Sequence, residues 1–124
     1  MKYVILPERL AVCRTTSGHE FLSNAEKFFC TVRTPDGYSF VCPEDLLAGD
    51  HEGILVESGW VALRLEGPFP FAMAGVLAAF IQPLAEAAVP VFAISTFDTD
   101  YVLIKSENLK QALTALGAAG HEEL

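Results

Sequence analysis

The sequence predicts an α+β protein, with antiparallel sheets that carry their helices on one face. Three observations predict it. From Trp60 onward the patterning runs strand, helix, strand, strand, helix, an order that belongs to units of ferredoxin-like type. Phe28–Leu46, advanced by 63 positions, matches Val91–Leu109 without a gap, placing Phe29 on Phe92, Tyr38 on Tyr101, Glu44 on Glu107 and Leu46 on Leu109. Finally, an apolar fraction of 52 % over 124 residues is enough to bury a core.

Strands are predicted at Tyr3–Leu6 and Leu10–Arg14, and Phe21–Lys27 reads as a short helical turn. Phe28–Arg33 and Tyr38–Cys42 are β-rich, and Thr34-Pro35-Asp36-Gly37 between them is a hairpin signal. Pro43-Glu44-Asp45-Leu46-Leu47 opens a helical turn, with acids near its positive end. A Gly- and acid-rich connector, 48–53, precedes the strand Trp60–Leu65. Phe71–Ala88 has Val76, Phe80 and Leu84 on one stripe and reads as a helix. Pro83 deprives the Ala79 carbonyl of its partner, so a kink or break is expected there. Val91–Phe97 and Tyr101–Lys105 form a second hairpin with a tight turn at Asp98-Thr99, and Ser106 is placed to cap a last helix with Leu109, Leu113 and Leu116 on one face. The repeat divides the chain into units 1–53 and 54–124, the first with its helices reduced. Gly120–Glu123 are expected to be disordered.

Sixteen acidic against eight basic side chains give a net charge of −8, which repels phosphate backbones and anionic lipid, so neither nucleic acid nor membrane is an expected partner. The uncharged run Gly67–Ala85 holds three prolines and is flanked by Glu66 and Glu86, so it reads as a buried helix rather than a span. The start of the chain shows no targeting pattern, and a cytoplasmic location is expected. Cys13, Cys30 and Cys42 are odd in number and lack metal-type spacing, so they read as free apolar thiols and no metal or cofactor is implied. His19, His51 and His121 lie apart and read as surface residues.

Chemistry concentrates at the second hairpin, where Ser95, Thr96, Asp98, Thr99 and Asp100 cluster. Much of this is turn chemistry. Asp100 differs, because it begins an otherwise apolar strand, where a carboxylate can pair with a ligand cation. The matched position in the first copy is Gly37. In Glu66-Gly67-Pro68-Phe69-Pro70-Phe71, Gly67 permits close backbone approach and the helix expected next offers free N–H groups to a carboxylate. The two features together suit a zwitterion. No nucleophile–base set, P-loop or metal-binding helix motif is present, so no enzyme activity is expected.

With these residues in view the chain resembles the ACT-domain family of the CASTOR type. Glu66-Gly67-Pro68 and Phe92–Lys105, containing Ser-Thr-Phe-Asp-Thr-Asp-Tyr, carry the likeness, with Leu6-Pro7-Glu8, Val12-Cys13-Arg14 and Thr34–Pro43 in the first half. The resemblance implies a tandem of two ACT units, in which an amino acid is held between units, and a homodimer that completes the site. It implies ligand contacts from Gly67, Pro68, Phe69, Phe71, Thr96, Phe97, Asp98 and Asp100, with Asp100 facing a basic side chain. A dimerisation module without ligand, read by an unidentified protein partner, is the alternative. A small dimeric enzyme on this fold is the third reading.

Overall fold

A computed structural model describes residues 1–16, 27–47 and 52–124. Its strands are β1 (Lys2–Thr15), β2 (Cys30–Thr34), β3 (Gly37–Pro43), β4 (Ile54–Leu65), β5 (Phe92–Ser95), β6 (Asp100–Lys105) and β7 (Glu122–Glu123), and its helices are α1 (Val76–Glu86) and α2 (Leu109–Ala118). The chain divides into two compact units, residues 8–60 and residues 1–7 with 61–124. This division differs from a cut after residue 53. The long strands β1 and β4 each contribute residues to both units.

In residues 8–60 the strand order is β2-β3-β1-β4. β3 is antiparallel to β1, with Ala11 opposite Cys42 and Cys13 opposite Phe40, and antiparallel to β2, with Cys30 opposite Val41. Ala11, Cys13, Phe40 and Cys42 form the buried cluster, against which Phe29, Leu47 and Ile54 pack. The two-residue loop Pro35-Asp36 joins β2 to β3, and the Asp36 N–H donates to Thr34 Oγ1 at 3.2 Å. Gly37 has φ +133°, and a Cβ there would lie 2.6 Å from the Thr15 carbonyl oxygen. No side chain fits, so the first hairpin has no room for the acid that its counterpart carries at Asp100. Beyond β3, Glu44–Leu47 is a 3-10 turn, as the proline and acids predict. Glu44 Oε2 accepts the Gly59 N–H at 3.0 Å. Phe21–Glu26 of the expected helical turn and Ala48–His51 of the connector lie outside the described residues, as do His19 and His51.

In residues 1–7 and 61–124 the order is β1-β4-β6-β5, with β7 parallel to β1. Alternation along β4 and β6 sends Leu63, Leu65, Val102 and Ile104 to one face, where Phe80 and Leu84 of α1, Ala112 and Leu116 of α2, and Tyr3 cover them. Burying each such side chain stabilises the fold by about 1.5–3 kcal/mol. This is the ferredoxin-like α+β arrangement, an antiparallel hairpin with two helices on one face.

Several boundaries move. α1 starts at Val76, not Phe71, after Gly75 in the left-handed region (φ 81°) with no side-chain cap; Pro68 and Pro70 hold the preceding chain out of helical conformation. Pro83 stands inside α1 without ending it, because the carbonyl it frees finds another donor. His121 Nε2 lies 3.3 Å from Ala79 O, while Nδ1 lies 3.0 Å from the Met1 nitrogen and the ring meets Phe80 edge-on at 5.1 Å. His121 is thus a structural bracket rather than a plain surface residue. Gly120–Glu123 are ordered for the same reason: Glu122 N–H donates to Met1 O at 2.9 Å and Leu124 N–H to Tyr3 O at 2.8 Å. Burial, and then the Glu123 carboxylate, push the Tyr3 phenol above its ordinary range. Ser106 does not cap α2: it begins a 3-10 turn, Ser106–Asn108, and Asn108 occupies the cap without a side-chain bond.

The second hairpin corrects the gapless repeat. Ser95 pairs with Asp100 across a four-residue loop, whereas Thr34 pairs with Gly37 across two residues. The second strands and the turns after them keep the spacing of 63, but the first strands are displaced by two residues. Phe29 and Phe92 are therefore not register equivalents.

Candidate functional site

The extra two residues of the second loop build the site. Thr96 donates to the Thr99 carbonyl through both its N–H (2.9 Å) and its Oγ1 (2.8 Å), and Thr99 N–H lies 3.3 Å from Thr96 Oγ1. Closed this way, the loop exposes Phe97 and Asp98 at its tip. Thr99 Oγ1 donates to Leu65 O at 2.7 Å, fixing the loop to the end of β4. At the start of β6, Asp100 Oδ1 accepts the Ser95 hydroxyl at 2.5 Å, which sets the orientation of a half-buried carboxylate.

The segment leaving β4 is laid against this loop. The Gly67–Pro68 peptide bond is cis, and the Phe69 N–H donates to Asp98 O at 3.0 Å. A Cβ on Gly67 would sit 3.0 Å from Asp98 O and 3.2 Å from the Phe69 ring, so the close approach requires glycine. Gly67→Ala is expected to push the two segments apart by a few tenths of an ångström and to cost about 1–3 kcal/mol. Urea unfolding would show that loss, and any ligand affinity would fall with it. Farther on, the exposed rings of Phe71 and Phe97 meet edge-to-face at 4.9 Å and 87°.

This seam divides two hollows. One of about 220 Å³ is lined by Phe69, Phe71, Met73, Val76, Thr96, Phe97, Asp98 and Asp100, among others. The other, of about 380 Å³, is lined by Arg64, Glu66, Gly67, Pro68, Asp98 and Tyr101, with Leu65 and Thr99. Six of the eight site residues read from the sequence therefore share the smaller hollow, while Gly67 and Pro68 line the larger and Asp98 borders both. The sequence places Val76 on the helix stripe and Tyr101 in the second hairpin, but it assigns none of Arg64, Met73, Val76 and Tyr101 to the site. The Arg64–Glu66 pair at 3.8 Å is largely solvated, and such contacts contribute little.

The anion-binding element also moves. The Phe69 N–H is already bonded, and the helix begins at Val76 rather than beside Gly67. The first N–H groups of a helix have no partner within it, and Val76 lines the same hollow as Asp100. A positive helix end and a carboxylate thus share one small cavity beside an aromatic pair. Among the described residues no group of three or more His, Cys, Asp or Glu could hold a metal ion, and no helix is long and apolar enough to cross a membrane.

Residues 55–118 match the ACT domain family. The chain belongs to that family, whose domains bind small molecules and act as regulatory modules. Human CASTOR3P is 28 % identical over 118 residues, covering 83 % of this chain and 72 % of its own. The cytosolic arginine sensor for mTORC1 subunit 1 of Bos taurus is 31 % identical over 98 residues, covering 73 % of this chain and only 30 % of its own length. A crystal structure of an Agobacterium tumefaciens protein superposes with TM-score 0.88 at 30 % identity, over 99 % of this chain and 91 % of that one. The aspartate kinase of Clostridium acetobutylicum matches with TM-score 0.68 at 12 % identity, over 93 % of this chain and 33 % of the kinase, a likeness of fold alone.

Proposed function

We propose that this chain is a non-catalytic regulatory sensor that binds a free amino acid. The observation that carries the reading is the hollow of about 220 Å³ whose wall includes both the first residue of α1 and the Asp100 carboxylate. The ligand carboxylate sits at the helix end. Its ammonium group or basic side chain pairs with Asp100, and Phe71 and Phe97 cover it. Kinship with an arginine sensor supports a basic amino acid. A second copy of the chain completes the hollow, and the working form is a homodimer in the cytoplasm. Residues 1–53 and 54–124 are two ACT-like units of one duplication, with the ligand contacts on the second.

A thermal-shift screen of the purified protein against the common amino acids tests this. A ligand at about 100 times its dissociation constant adds roughly 2.7 kcal/mol of stability, so one chemical class should raise the melting temperature by several degrees. A flat response to every amino acid would overturn the reading.

One observation favours the alternative of an interaction module without ligand. Phe71, Met73 and Phe97 are 75 %, 51 % and 77 % exposed and lie side by side, the kind of patch that a protein partner covers. On that reading the screen is flat, and Phe97→Ala weakens self-association instead.

A further inference from the structure

Residues 8–60 hold a pair of thiols that the sensor reading leaves unused. Cys13 and Cys42 are 3 % and 0 % exposed and belong to one four-residue cluster with Ala11 and Phe40. Cys42 stands directly opposite Ala11 and Cys13 directly opposite Phe40, so the two cysteines are diagonal neighbours on one face of the β1–β3 pair. Both side chains lie in that one buried cluster, close enough for each thiol to act on the protonation of the other. Cys30 is excluded from this pair by the pleat. It is opposite Val41, and the residues flanking Val41, Phe40 and Cys42, point to the other face. Three free cysteines thus sort into one pair and one single.

This mutual influence makes the two sulfurs unequal. Stabilised by the Cys13 proton, Cys42 is held below its ordinary range even though burial and Asp45 act the other way, while Cys13 is pushed far up. One sulfur is the better nucleophile and its neighbour the proton donor, a division of roles that suits two-electron oxidation.

We propose that Cys13 and Cys42 form a reversible disulfide driven by peroxide. The Cys42 thiolate attacks a peroxide oxygen, the O–O bond breaks, and Cys42 becomes a sulfenic acid as one water leaves. The Cys13 sulfur then attacks the Cys42 sulfur, the S–O bond breaks, and the second water leaves. Two thiols and one hydrogen peroxide give one disulfide and two waters. Burial selects a small neutral oxidant. Diagonal strand positions lie about 7–8 Å apart at Cα, at or beyond the roughly 7 Å limit for an unstrained bridge. The bond therefore forms with a local shift of β3 against β1 and is easily reduced, a switch rather than a staple. Pro43 and the Glu44 turn follow directly, so the shift reaches the Glu44–Gly59 hydrogen bond.

The test is hydrogen peroxide treatment of the folded full-length chain, followed by alkylation in denaturant and intact-mass measurement. Wild type is expected to keep a single thiol open to alkylation and Cys30→Ser none, and both are expected to yield one linked peptide pair joining Cys13 to Cys42. Millimolar glutathione should restore both thiols. Cys42→Ala should show no linked pair, and peptide mapping of the wild type settles the linkage even if that variant folds poorly. Full alkylation of Cys13 and Cys42 after peroxide, or a bridge that uses Cys30, would overturn the proposal. A Cys13–Cys42 bridge that resists glutathione would overturn its reversibility.

Discussion

Replacing Phe80 with alanine is expected to destabilise the protein by about 3–5 kcal/mol, the range for removing a buried aromatic ring. Phe80 is fully buried at the centre of the cluster formed by Leu63, Leu65, Leu84, Val102, Ile104 and Leu116. It also meets Tyr3 edge-on at 5.5 Å and His121 at 5.1 Å. Such aromatic contacts contribute about 0.5–1.5 kcal/mol beyond area burial, which places the cost in the upper part of the range. The effect is not confined to the cavity. Without the ring, His121 loses the surface that holds it between Ala79 O and the Met1 nitrogen. Amide exchange at Glu122 and Leu124, whose N–H groups bond Met1 O and Tyr3 O, should then accelerate more than exchange in β6. Urea unfolding measures the first effect and hydrogen exchange the second. A loss below about 1 kcal/mol would show that the core does not depend on this ring.

The same residues show what was legible in the sequence. The stripe Val76, Phe80, Leu84 and the stripe Leu109, Leu113, Leu116 do face one core, because 3.6-residue periodicity records burial directly. Strand β6 was equally readable from Tyr101 onward. What escaped depends on contacts distant along the chain. Nothing local to Pro83 says that His121, 42 residues from Ala79, supplies the missing donor. Nothing local to Gly120–Glu123 says that the edge of β1 is open to a parallel strand. The hairpin loop differs from its sequence pattern for another reason. Thr96 closes it with side-chain and backbone bonds to Thr99, so four residues turn where Asp98-Thr99 alone looked sufficient. The two extra loop residues also displace the first strand of this hairpin relative to that of the other. In the candidate site, residue types such as Asp100 and Gly67 stood out by their chemistry. Val76 and Tyr101 enter through geometry alone, Val76 as the first residue of a helix that starts later than its pattern implies and Tyr101 as the second residue of β6, beside Asp100.

Asp100→Asn is expected to leave the fold intact and weaken amino-acid binding by about 10- to 100-fold, or ~1.5–3 kcal/mol, the range for a hydrogen bond to a charged group. Asparagine keeps the shape of the side chain, and its carbonyl oxygen still accepts the Ser95 hydroxyl that Asp100 Oδ1 accepts now. What it removes is the negative charge facing the ligand in a hollow bordered by Phe69, Phe71 and Phe97. The urea midpoint should therefore move by less than about 0.5 kcal/mol, while the ligand-induced thermal shift collapses. Because the attraction is ionic, wild-type affinity should also decline with added salt and the variant's should not. Ser95→Ala gives the complementary result: the charge stays, its orientation is released, and binding weakens by a smaller factor while the salt dependence remains. An Asp100→Asn protein that binds as tightly as wild type would move the recognising charge elsewhere. Asp98, which borders both hollows, and Glu66, which lines the larger one, would then be the carboxylates to change next.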